Sequence, residues 1–151
     1  MTDDQFAAYE SRCAAMAALE AEHLPANKAS LFNALAAAGI VTVIVGFDGY
    51  GDSGQIETID AYGPDNTEAQ LPDTTLAMAE VTFDGPRVVI EPRSPRDVIE
   101  CMAYALLEQT HDGWENNDGA YGEFTFDVAT RSIALDYNER YTATNGHQHE
   151  F

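Results

Sequence analysis

The hydrophobic and polar positions change period several times along the chain, and each change marks an element. Residues 3–22 place Phe6, Tyr9, Cys13, Met16 and Leu19 at helical spacing, which predicts an amphipathic helix with that stripe turned inward. Thr2 or Asp3 can cap it, and the early acids suit the positive end of the helix dipole. Pro25 interrupts the pattern, because proline lacks the backbone donor a helix interior needs. Asn27 then reads as the cap of a second helix over 28–38, with Leu31, Phe32 and Leu35 inward and Gly39 as its stop.

From residue 41 the period drops towards two. The run 41–47 is β-branched and almost entirely apolar and predicts a central strand. A glycine-rich turn, 48–54, leads to an alternating strand over 55–62, and the two strands make a hairpin with an elaborate loop. Residues 63–75 are polar and proline-bearing and read as a loop. A short hairpin is expected around Asp84-Gly85, with Thr82-Phe83 and Val88–Ile90 as its arms; a helical Leu76–Glu80 is the alternative. Ser94-Pro95 opens the clearest helix, with serine as cap, proline in the first turn, and Val98, Ile99, Met102, Ala105 and Leu106 as the buried stripe. A last hairpin joins 121–128 to 132–140. Phe124, Phe126 and Val128 match Ile133, Leu135 and Tyr137 on one face, and Glu123, Thr125, Asp127, Asp136 and Asn138 fall on the other.

Hairpin-length links between these elements predict an α+β fold: an antiparallel sheet of hairpins with about three helices packed on one face. The chain reads as one domain over 1–141, helical through 39 and sheet-containing from 40, followed by a flexible tail over 142–151.

Charge changes this ordinary picture. Of 151 residues, 26 are Asp or Glu and 7 are Lys or Arg, a formal net charge of −19. No base occurs between Ala29 and Pro86, where nine acids fall, or between Asp97 and Thr130, where eight fall. Such a surface repels phosphates and anionic membranes, so direct nucleic-acid or membrane binding is not expected. It attracts a basic protein or divalent cations. General solvation is the competing explanation of the same charge. Cys13 and Cys101 make no disulfide framework and read as small helical hydrophobes, and the N-terminal segment lacks the pattern of a signal peptide. A cytoplasmic protein is expected.

Candidate chemistry is sparse. Gly51-Asp52-Ser53-Gly54 has the form of a serine-protease nucleophile loop, but Gln55 stands where a further glycine is needed, and His23 is the only upstream histidine. Ordinary turn chemistry explains those residues better. Glu115, Asn116, Asn117 and Asp118 put oxygen donors within one turn after Trp114, without EF-hand spacing; a polar turn anchored by the tryptophan is the simpler reading. A shared Mg²⁺ or Ca²⁺ site would draw on Asp52, Glu57, Glu115 and Asp118. His147 and His149 have no third ligand nearby, and no catalytic residue is marked.

The strings 51–57 (GDSGQIE), 114–124 (WENNDGAYGEF) and 136–141 (DYNERY) resemble those of a family of small acidic bacterial proteins of unknown function, the DUF6878-like group. The resemblance covers most of 41–141. It implies a prokaryotic setting linked to phages or mobile elements, and it brings no activity, cofactor or site residue.

The leading functional expectation is a non-enzymatic interaction protein whose acidic surface docks on a basic, nucleic-acid-binding partner. An anti-CRISPR or anti-restriction inhibitor would work in this way. Its surface would use Glu57, Asp60, Glu123, Asp127, Asp136 and Asn138, with no cofactor. The alternatives are an acidic accessory domain, which could be a homodimer, and a metal-binding protein with hydrolytic activity.

Overall fold

The computed structural model describes residues 2–51, 53–83, 85–116 and 118–151, and its first element is a single helix, α1 (Asp3–Ala37). Thr2 caps it in a reciprocal box: the Gln5 amide donates to the Thr2 hydroxyl and the Thr2 amide donates to the Gln5 side chain. The helix runs through Pro25, so among the described residues there are two α-helices and not three. Pro25 is exposed, and the burial of Asn27, Leu31, Phe32 and Leu35 immediately downstream holds the backbone helical across it. Asn27, expected as a cap, lies inside the helix. Upstream, Phe6 and Tyr9 are about half exposed and Cys13 is exposed, so the expected inward stripe is largely a surface stripe.

Five strands form one antiparallel sheet. They are β1 (Thr42–Tyr50), β2 (Ser53–Tyr62), β3 (Glu68–Ala69), β6 (Ala120–Asp127) and β7 (Ser132–Glu139), in the order β3-β2-β1-β6-β7. The expected loop 63–75 therefore contains a 3₁₀ turn, Pro64–Asn66, and the short β3. The expected elaborate loop between β1 and β2 is tight, because Tyr50 already pairs with Ser53. A separate hairpin joins β4 (Leu76–Thr82) to β5 (Arg87–Arg93), so residues 76–80 are strand and the helical alternative fails. Of the turn residues expected there, Asp84 lies outside the described residues. The second helix, α2 (Pro95–Thr110), begins as expected, with the Ser94 side chain accepting from the Asp97 amide. Its buried stripe includes Ala103 and Leu107; Ala105 and Cys101 are exposed.

One core holds these parts together. Burial alternates along β1, with Val43, Val45 and Phe47 inward, joined by Ile59 and Ala61 of β2 and Phe124 and Phe126 of β6. Both helices pack on that face. Phe32 of α1 lies 6.2 Å from Phe126, ring to ring, and the Tyr104 hydroxyl of α2 accepts the Ile56 amide of β2 at 2.8 Å. The β4–β5 hairpin is tied to α1 by Asn27, whose amide donates to the Ala79 carbonyl at 3.0 Å and accepts from the Ala79 N–H at 2.9 Å. Among the described residues no helix is long and apolar enough to cross a membrane.

Candidate functional site

The face of the sheet opposite the helices is built by the same alternation that builds the core. The strand register sets its side chains in rows. One row runs Thr58, Gly46, Glu123, Asp136 across β2, β1, β6 and β7. The next runs Asp60, Ile44, Thr125, Ala134, and the one beyond it Tyr62, Thr42, Asp127, Ser132. On the other side of the first row stand Gln55, Asp48, Tyr121 and Asn138. Five of the six expected interaction residues, Asp60, Glu123, Asp127, Asp136 and Asn138, thus share one face. The sixth, Glu57, is the extra residue where the β1–β2 register shifts between Gly46 and Phe47, and it is exposed.

The bases lie elsewhere. Arg12 and Lys28 are on α1, Arg87 and Arg93 on β5, and Arg96 on α2; Arg131 hydrogen-bonds to Asn33 of α1. Arg93 grips Glu80 through two hydrogen bonds, 2.7 and 3.1 Å, which holds the Glu80 carboxyl below the usual carboxylate range. Arg140, at the end of β7, is the exception. Its guanidinium meets Asp48 at 2.9 Å, donates to the Gly49 carbonyl at 2.9 Å and lies 4.6 Å above the Tyr121 ring. It neutralises one acid at one end of the face. Among the described residues Asp60, Glu123 and Asp136 have no ion-pair partner, and Asp127 accepts the Thr130 amide.

The three motif strings that stand out in the sequence converge beside Arg140. Trp114 is buried, edge-on to Phe47 at 5.4 Å. Its indole lies against the facing pair Gly49 and Gly54, where a Cβ on either would come within 2.6 Å of the ring. Gly119 has positive φ and packs on the Gly49 carbonyl so closely that only glycine fits. Trp114 is thus buried at its turn, as the anchored-turn reading expects, and the glycines that seat it are an addition of the structure. His111 stacks flat on Tyr137 at 3.6 Å, at the margin of a cleft of about 240 Å³ that also exposes Asp118 and Arg140. Around the end of α2, Asp112 lies against Glu108 and, together with burial and the nearby Glu115, raises the Glu108 carboxyl above its ordinary range.

Of the expected metal set, Glu57, Glu115 and Asp118 are not gathered into a cation site among the described residues. Asp52 lies outside the described residues, as does Asn117 of the oxygen-donor turn. Glu57 is on the β2 bulge, Asp118 accepts the Thr142 hydroxyl at 2.7 Å, and one carboxylate oxygen of Glu115 is buried without a hydrogen-bond partner. Among the described residues no group of three or more His, Cys, Asp or Glu is placed to hold a metal ion. His147 and His149 are exposed in the terminal segment, outside any helix or strand.

Arg140, Tyr121 and the paired glycines were not singled out by sequence reasoning. The signal for Arg140 was its position: after Arg131 it is the last base, and it directly follows an alternating strand rich in acids.

A family match covers residues 23–151, and that family is described as "Family of unknown function (DUF6878)". No curated protein and no solved structure matches the chain.

Proposed function

The chain belongs to the DUF6878 family, and from that premise we propose that it is a non-enzymatic acidic interaction protein whose open sheet face docks on a basic protein surface. The observation that carries this reading is the segregation of charge on a rigid frame. Asp60, Glu123, Asp127 and Asp136 share the uncovered face, while six of the seven bases sit on the helices, on the β4–β5 hairpin or in the turn bonded to α1.

Carboxylates fixed on strands about 4.8 Å apart need little reordering on binding and steer a basic partner by long-range attraction. A groove built for phosphates offers the complementary charge. Acting there, the protein would exclude nucleic acid and inhibit its host, as an inhibitor of a restriction or CRISPR effector does. Exposed, free Cys13 and Cys101 suit a reducing cytoplasm.

The experiment is capture of partners from a bacterial lysate, followed by binding of the purified partner in a salt series. A triple variant, Asp60→Asn, Glu123→Gln and Asp136→Asn, is run in parallel. The expected result is a nucleic-acid-binding partner that is lost at high salt, displaced by DNA or RNA, and not bound by the triple variant. Binding that ignores both salt and the three substitutions would sink the reading.

A further inference from the structure

We propose that the free edge of β7 is a strand-docking edge, and that it takes an extended segment of a basic protein in which lysine or arginine alternates with apolar residues. The proposal rests on the acidic-face reading above and adds a backbone component to it.

The pairing with β6 fixes which groups are free. The Arg140 amide donates to the Gly119 carbonyl at 2.9 Å, and this pair continues the register in which Glu123 faces Asp136. Antiparallel strands alternate bonded and non-bonded pairs. Ser132, Ala134, Asp136 and Asn138 therefore turn their N–H and C=O groups towards β6. Ile133, Leu135, Tyr137 and Glu139 turn theirs outward. Among the described residues β6 is the only strand paired with β7, and no hydrogen bond from elsewhere reaches the backbone of those four.

The opposite margin of the sheet is built differently. On β2 the bulge distorts the ladder at Glu57, the Ile56 N–H is taken by the Tyr104 hydroxyl, and β3 covers Ala61 and Tyr62. Bulges and covering groups of this kind block strand addition. On β7 the ladder is regular through eight residues.

The side chains select the occupant. A strand added to β7 places alternate side chains on the two faces. On the helix side, Ile133, Leu135 and Tyr137 are only partly buried at the margin of the core, so apolar side chains would complete their burial. On the open side, Asp136 stands beside Glu123, so basic side chains would find carboxylates. A second copy of this chain is the poorer occupant. Antiparallel pairing of two β7 strands brings the two Asp136 residues close to the symmetry axis, between molecules that each carry −19.

The test uses the full chain and two end-blocked peptides of alternating lysine and valine, one ordinary and one N-methylated at every residue. Their charges are equal, and only the first can donate backbone hydrogen bonds. Affinity is read by fluorescence anisotropy, and amide hydrogen exchange is followed along β7. The methylated peptide is expected to bind about tenfold more weakly or worse. The ordinary peptide is expected to slow exchange at Ile133, Leu135, Tyr137 and Glu139. Equal affinities, or unchanged exchange at those amides, would overturn edge docking and leave the acidic-face reading standing. Failure of both peptides to bind at low salt would overturn both.

Discussion

Glu123 and Asp136 stand directly opposite each other on neighbouring strands, two carboxylates in one cross-strand pair with no cationic partner among the described residues. Like charges in that position oppose pairing. Replacing one of them by a base, Asp136→Lys, is expected to stabilise the fold by up to about 1 kcal/mol, read as a higher urea midpoint. The same change should abolish binding to the basic partner. Opposite signs in the two assays would mean that the pair costs stability and serves binding.

Asn27 sets a second expectation. Its side chain pairs with both backbone groups of Ala79 much as a neighbouring strand would, and so joins α1 to the β4–β5 hairpin. Asn27→Leu keeps the branched outline of the side chain, with slightly more bulk, and leaves both groups without that partner. A loss of about 1–3 kcal/mol is expected on urea unfolding, together with faster exchange of the Ala79 amide.

The glycine seat can be tested with the protein's single tryptophan. At Gly54 an added Cβ would lie 2.5 Å from the Trp114 ring. Gly54→Ala is expected to cost about 1–3 kcal/mol by overpacking and to shift tryptophan emission to the red as the indole moves towards water. Gly146→Ala, where an added Cβ meets nothing, should leave the emission unchanged.

Mild acid should stabilise this protein over part of the range. The folded state raises the Glu108 carboxyl, first through Asp112, then through burial. A carboxyl raised on folding binds its proton more readily in the folded state, so its contribution is present below the unfolded value and is lost as pH rises through the folded one. Thermal midpoints should therefore increase as pH falls from neutrality towards the ordinary glutamate range, and the rise should be smaller in Glu108→Gln. Glu80 acts oppositely. Its carboxyl is lowered by Arg93, so its contribution is present above the ordinary glutamate value and is lost as pH drops through the lowered one. The stability curve should turn downward there.

Much of the fold was legible because local chemistry and final environment agree. Ser94-Pro95 caps α2 as its residue types demand, and the alternation of 121–128 with 132–140 predicts both faces of the β6–β7 hairpin. The acidic side of that hairpin was therefore readable residue by residue. The reading failed where a distant partner changes a residue's use. Pro25 and Asn27 have the local look of a break and a cap, yet Asn27 is committed to Ala79, 52 residues away. Gly49 and Gly54 look like loop glycines because the ring they seat belongs to Trp114. The position of Asp60 on the same face as Glu123 depends on β1 lying between β2 and β6, a pairing order that no local pattern encodes.

The unequal margins of the sheet also bear on stoichiometry. Linear polymers that grow strand by strand need two receptive margins on every subunit, one to accept and one to pass on. Here the bulge, Tyr104 and β3 occupy one margin, and β7 leaves the other open. Each copy of this chain therefore offers one receptive margin among its described residues, β7, so strand docking there does not by itself link copies into a fibre.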